Sequence, residues 1–140
     1  MKRKAAITGI ILLALSLVAV IFVARIAKPR IVLHAVTPDG TEICVFQRFT
    51  GTTEPFETSF YSKKPGANWG WFYYDHQDLP WLSGRIQLDT TNKTATIFRG
   101  SKAVARYDWS KDTLTHFQRG TTTEPQPSTW TPQTMAAVRK

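Results

Sequence analysis

The chain has 140 residues, 18 Lys plus Arg against 10 Asp plus Glu, a formal net charge of +8 and a single cysteine. That length holds one domain once any targeting segment is set aside, and one cysteine excludes an intramolecular disulfide framework and any multi-cysteine metal site. The basic excess is not a nucleic-acid footprint: Lys2, Arg3, Lys4, Arg25, Lys28 and Arg30 stand in residues 1–30 with no acidic residue, leaving 12 basic against 10 acidic groups elsewhere and no clustered basic stripe beyond Lys63 and Lys64.

The first element is an anchor. From Ala5 to Ala24 the chain runs 20 residues without a charge, and at about 1.5 Å per residue this matches the roughly 30 Å hydrocarbon thickness of a bilayer. A cleavable signal has a shorter apolar region and a small-x-small site after it. Here the nearest such site, Ala14-Leu15-Ser16, falls inside the run, and cleavage there would leave LVAVIFVA at the new terminus. The expectation is an uncleaved single-pass helix with the lipid bilayer as partner of residues 5–24. Basic residues flank it on both sides, so the positive-inside comparison nearly ties. Exporting a four-residue tail with three basic side chains is the less favourable choice, so the N-terminus is expected in the cytoplasm and the domain in a periplasmic or extracytoplasmic space.

Beyond Arg30 the texture changes to short β-branched and aromatic runs between turn formers, with no helical apolar period. The strands read Ile31–Val36, Glu42–Phe49, Phe56–Ser62, Trp69–Tyr74, Arg85–Asp89, Thr94–Arg99, Ala103–Trp109 and Leu114–Gln118. Thr37-Pro38-Asp39-Gly40 closes the first hairpin, with Pro presetting one backbone angle and Gly supplying a positive φ. Short connections favour neighbouring antiparallel pairs. The expected fold is therefore an all-β antiparallel meander of about eight strands over residues 31–118, as a small barrel or a two-layer sandwich.

Alternation assigns faces: Ile86, Leu88, Ala95, Ile97, Ala103, Ala105, Tyr107 and Trp109 inward, and Arg85, Gln87, Thr94, Thr96 and Arg106 outward. Cys44 fits such a strand as a small buried apolar side chain. Residues 31–118 hold 15 of the 17 aromatics, enough apolar surface for a core without disulfides. Residues 119–140 are rich in Thr, Pro and Gln and are expected to form a flexible tail, with a short helix over 133–138 capped by Thr131-Pro132. Phe46–Pro55 and Phe117–Pro125 echo each other with one residue deleted, which reads as shared strand-to-loop chemistry rather than a repeat architecture.

The stretch from Asn68 to Trp81 carries the candidate site. In a strand, Trp69, Trp71 and Tyr73 share one face while Phe72 and Tyr74 share the other. Filling the core is the bland reading, with the second face packed under a loop. The functional reading makes Trp69, Trp71, Tyr73, Tyr74, His76 and Trp81 a platform for a partner or ligand, because amphipathic rings give large contact energies. His76 beside Asp75 and Asp78 suggests metal or acid–base chemistry only weakly, and His34 and His116 would join it only if the first and last strands paired. No phosphate loop, nucleophile elbow or Cys-His signature occurs, so no catalytic residue, metal or cofactor is assigned. Asn92-Lys93-Thr94 matches a glycosylation sequon but reads as a hairpin tip. The expected function is a noncatalytic, membrane-anchored binding or protein-interaction module of the cell envelope, with a protein partner there and no nucleic acid. A small barrel binding an apolar or carbohydrate ligand is the alternative, and an enzyme using His76 with Asp75 or Asp78 is the remote one.

Overall fold

In the computed structural model the described residues are 2–51, 53–128 and 131, and the helix expected over 133–138 lies outside them. Among the described residues one helix, α1 (Lys2–Ala27), precedes ten strands. Its stretch Ile7–Arg25 is 19 residues long with a mean hydropathy of 2.9 and is exposed throughout. Apolar on every face and uncovered along that stretch, the helix is long and apolar enough to cross a bilayer. Within it the Ser16 hydroxyl donates to the Leu12 carbonyl at 2.8 Å, so this polar group is satisfied inside the helix.

The strands are β1 (Arg30–Val36), β2 (Glu42–Phe49), β3 (Phe56–Lys63), β4 (Gly70–Gln77), β5 (Gly84–Asp89), β6 (Thr94–Arg99), β7 (Lys102–Asp108), β8 (Thr113–His116), β9 (Thr121–Thr123) and β10 (Gln126–Pro127). They form two antiparallel five-stranded sheets, ordered β1-β2-β3-β4-β10 and β5-β6-β7-β8-β9. The all-β antiparallel meander after an apolar helix is therefore present, as two facing open sheets with no closed barrel. The stretch assigned to the tail by composition supplies an edge strand to each sheet. Strands of two or three residues carry no period-two signature, which is why they do not stand out among Thr and Pro.

The two sheets share one core. Ile43, Val45, Phe60 and Phe72 of the first meet Ala95, Ile97, Ala105, Tyr107 and Leu114 of the second. The Tyr107 ring lies 5.2 Å from Phe60 and 5.9 Å from Phe72, within the range where tilted aromatic pairs attract. Its hydroxyl donates to Asp112 Oδ1 at 2.6 Å, an acceptor shared with Ser62 Oγ at 3.1 Å. Burial of Tyr107 thus leaves no polar group unpaired.

Glycine sets the backbone at two places. At the first hairpin Gly40 takes φ 83° and Thr37 N donates to the Thr41 carbonyl at 2.9 Å. At Gly84 a Cβ would lie 2.4 Å from the Phe98 carbonyl oxygen and 2.6 Å from Trp81 Nε1, so only glycine lets β5 approach so closely. Register shifts mark irregularities in the β1–β2, β3–β4 and β6–β7 pairs. The last of these corrects the alternation in β7: Ala103 pairs with Phe98, and Val104 packs against the core in its place.

Candidate binding cleft

The aromatic stretch divides between core and surface. Tyr74 is 9 % exposed and stacks on the His116 ring at a centroid distance of 5.0 Å, with Trp81 at 6.0 Å on another side. Trp81 is buried too, and its loop is tied down at both backbone groups. Its N–H donates to Gln47 Oε1 at 3.0 Å and its carbonyl accepts from Arg30 Nη2 at 2.8 Å. Trp69 is buried on the outer face of the first sheet with Cys44, Phe46 and Tyr61. These three of the six sequence candidates therefore build structure.

Trp71 and Tyr73 follow Trp69 on the outer face, away from the shared core, and Trp71 packs against the Trp69 cluster. Antiparallel pairing sets Trp71 opposite Tyr61 and Tyr73 opposite Ser59, and the two rings meet edge to face at 6.3 Å. Tyr73 is 39 % exposed and Trp71 half-buried. Together with His116, Arg119, Thr121, Thr123, Glu124 and Gln126 they line a cleft of about 170 Å³. It opens where β4 and β10 of one sheet come alongside β8 and β9 of the other. The Arg119 guanidinium closes one side, 5.6 Å from the Tyr73 ring centroid and donating to Asp75 Oδ1 at 2.7 Å. Pro125 packs on Gly70, where a Cβ would come within 2.7 Å of it, so the short β10 can cross beside Trp71.

Electrostatics keep the cleft's histidine uncharged. Burial, reinforced by the Arg119 charge, holds the His116 imidazole below its ordinary pKa, against the opposing pull of Asp75 and a hydrogen bond to the Tyr73 backbone. Burial pushes the Tyr74 hydroxyl up to about 12. His116 is thus a neutral stacking partner at neutral pH.

Comparison of the chain with models of known protein families, with curated proteins and with solved structures finds no match. The site must therefore be read from its own geometry. His76 is half-buried with its ring 6.0 Å from Tyr73. Of its acidic neighbours, Asp75 is engaged by Arg119 and Asp78 is exposed in the following bend. Among the described residues no group of three or more His, Cys, Asp or Glu side chains is placed to hold a metal ion. The first strand pairs with β2 and β8 pairs with β7 and β9, so His34 and His116 do not converge. His34 instead lies 3.6 Å from Glu42.

Sequence reasoning missed the other wall, Arg119 through Gln126, because it placed those residues in the tail. The echo with Phe46–Pro55 was the available signal. Its first copy leaves β2 for a loop, whereas its second makes the turn into β9.

Proposed function

We propose that this protein is a noncatalytic binding module held at a membrane by α1, and that Trp71 and Tyr73 in the edge cleft grip its protein partner in the cell envelope. The observation that carries this reading is the division of the aromatic stretch: core positions take Tyr74 and Trp81, while Trp71 and the exposed Tyr73 line a cleft rimmed by polar groups. That is the composition of a binding patch, with amphipathic rings at its centre and hydrogen-bonding groups at its rim. The cleft's size suits one inserted side chain better than an enclosed small molecule, for which sites of about 300–1,000 Å³ are usual. A single sugar ring would also fit this lining, with Thr121, Thr123, Glu124 and Gln126 offering hydroxyl, carboxylate and amide groups beside the rings.

In this reading α1 is an uncleaved signal-anchor, with the N-terminus cytoplasmic and the β domain extracytoplasmic. Alkaline extraction should leave the chain in the membrane fraction, and a C-terminal reporter should be active only on the outer side. The binding role is tested by capturing partners from detergent-solubilised membranes with the wild-type chain and with a Trp71→Ala, Tyr73→Ala double variant. A specific partner should be captured by the first and lost by the second, and soluble glycan should not compete. Equal capture by both chains would overturn the assignment, and competition by glycan would favour the sugar.

A further inference from the structure

The antiparallel order puts one end of the sandwich next to α1. β1 starts there at Arg30, β2 ends there at Phe49, β4 ends at Gln77 and β5 begins at Gly84. Only Lys28 and Pro29 separate α1 from β1, and at no more than about 3.6 Å per residue this keeps Arg30 within roughly 11 Å of the helix end. The headgroup layer beyond the hydrocarbon is about 5–7 Å deep on each side.

That same end carries most of the domain's exposed large apolar side chains. Leu79 is 67 % and Leu82 78 % exposed, and Phe49 and Phe117 join them, whereas of the described residues at the opposite end only Val36 is in this class. The loop bearing the two leucines is rigidly placed rather than loose. Arg30 Nη2 donates to the Trp81 carbonyl at 2.8 Å, Arg99 Nη2 donates to the Leu79 carbonyl at 3.1 Å, and Gly100 N donates to the Ser83 carbonyl at 3.0 Å. Arg99 also stands 5.8 Å from the Trp81 ring. Beside the loop a recess of about 150 Å³ is lined by Arg30, Ile31, Val32, Trp81, Leu82 and Ser83. Arg30 Nε and Trp81 Nε1 are both buried without a hydrogen-bond partner, an unusual pair of free donors at one place.

The geometry points to a second membrane contact: the loop 78–83 docks on the bilayer surface, with Leu79 and Leu82 in the interfacial layer and Arg30 facing lipid headgroups. This rests on α1 spanning that membrane. Exposed leucines held beside arginines are costly in water and favourable at a boundary whose inner side is apolar and whose outer side is rich in phosphate. Arg30 keeps Nη2 on the Trp81 carbonyl, and the remaining edge of its guanidinium is the part that faces the headgroups. A domain held by one flexible joint would tumble above the bilayer. Two contacts fix its tilt, and with it the direction in which the cleft opens.

The test uses the full chain in nanodiscs containing anionic phospholipid. Leu79→Cys and Leu82→Cys carry an environment-sensitive fluorophore, and Ala67→Cys, exposed in the β3–β4 loop at the far end, is the control. The native Cys44 is buried and stays unlabelled. Lipid-borne quencher should dim the labels at 79 and 82 several-fold more than at 67, with aqueous iodide giving the reverse order. Equal iodide quenching at all three positions, in a chain that resists alkaline extraction, would overturn the docking and leave the anchor standing. Release of the chain by alkali would instead remove the anchor and the docking together.

Discussion

The two sheets of this domain use their apolar residues differently. The second sheet is one-sided: Ala95, Ile97, Ala105, Tyr107 and Leu114 enter the core while Arg85, Gln87 and Arg106 face water. The first sheet is apolar on both sides, with Ile43, Val45, Phe60 and Phe72 inward and Cys44, Phe46, Tyr61 and Trp69 buried on its outer face. One apolar face is what a two-layer fold requires. The second face of the first sheet is therefore surplus to the shared core, and Trp71 and Tyr73 carry it out to the cleft. The comparison separates side chains that hold the sheets together from side chains left at the surface cleft.

The sharpest way to break the shared core is Tyr107→Ala, which empties a fully buried site between the sheets and leaves Asp112 Oδ1 with Ser62 alone as donor. It should cost about 3–5 kcal/mol, read as loss of a cooperative thermal transition. Gly84→Ala attacks a different point, where β5 passes closest to its neighbours, by forcing a methyl against the Phe98 carbonyl and Trp81. About 1–3 kcal/mol is expected by chemical denaturation. Gln47→Ala leaves the Trp81 N–H without its acceptor and removes the donor to Thr58 Oγ1. A loss of about 1–3 kcal/mol should come with faster amide exchange in the loop 78–83.

A smaller effect comes from acid. His116 is buried with a lowered folded pKa, so below the ordinary histidine value near 6.5 the unfolded chain binds the proton more readily than the native one. The stability it contributes is fully present above that value and is lost as pH falls through it. Melting temperature should decline between pH 7.5 and 5, and His116→Gln should flatten that decline. An unchanged slope would remove His116 as its source.

Much of this was legible in the residues. The Pro-Asp-Gly turn placed the first hairpin, strict alternation placed β6, and a charge-free run placed α1. What was not legible depends on partners distant in sequence. An irregularity displaced Ala103 from the core because β6 and β7 shift register there, which period-two counting within one strand does not reveal. Trp69, Trp71 and Tyr73 share a strand face by spacing, yet Trp69 is covered and Tyr73 exposed. Their difference comes from position along the sheet. The cleft's far wall lay in a Thr- and Pro-rich stretch whose β9 and β10 exist only because β8 and β4 are there to pair with them.

The most direct measurement compares folding with capture in one pair of double variants. For Trp71→Ala, Tyr73→Ala the account predicts a cooperative melt, a stability loss of only about 1 kcal/mol and no captured partner. Tyr74→Ala, Trp81→Ala should lose the melt itself. If the Trp71 and Tyr73 pair proved as destabilising as the Tyr74 and Trp81 pair, the cleft aromatics would be core, and the division on which the binding function rests would be contradicted.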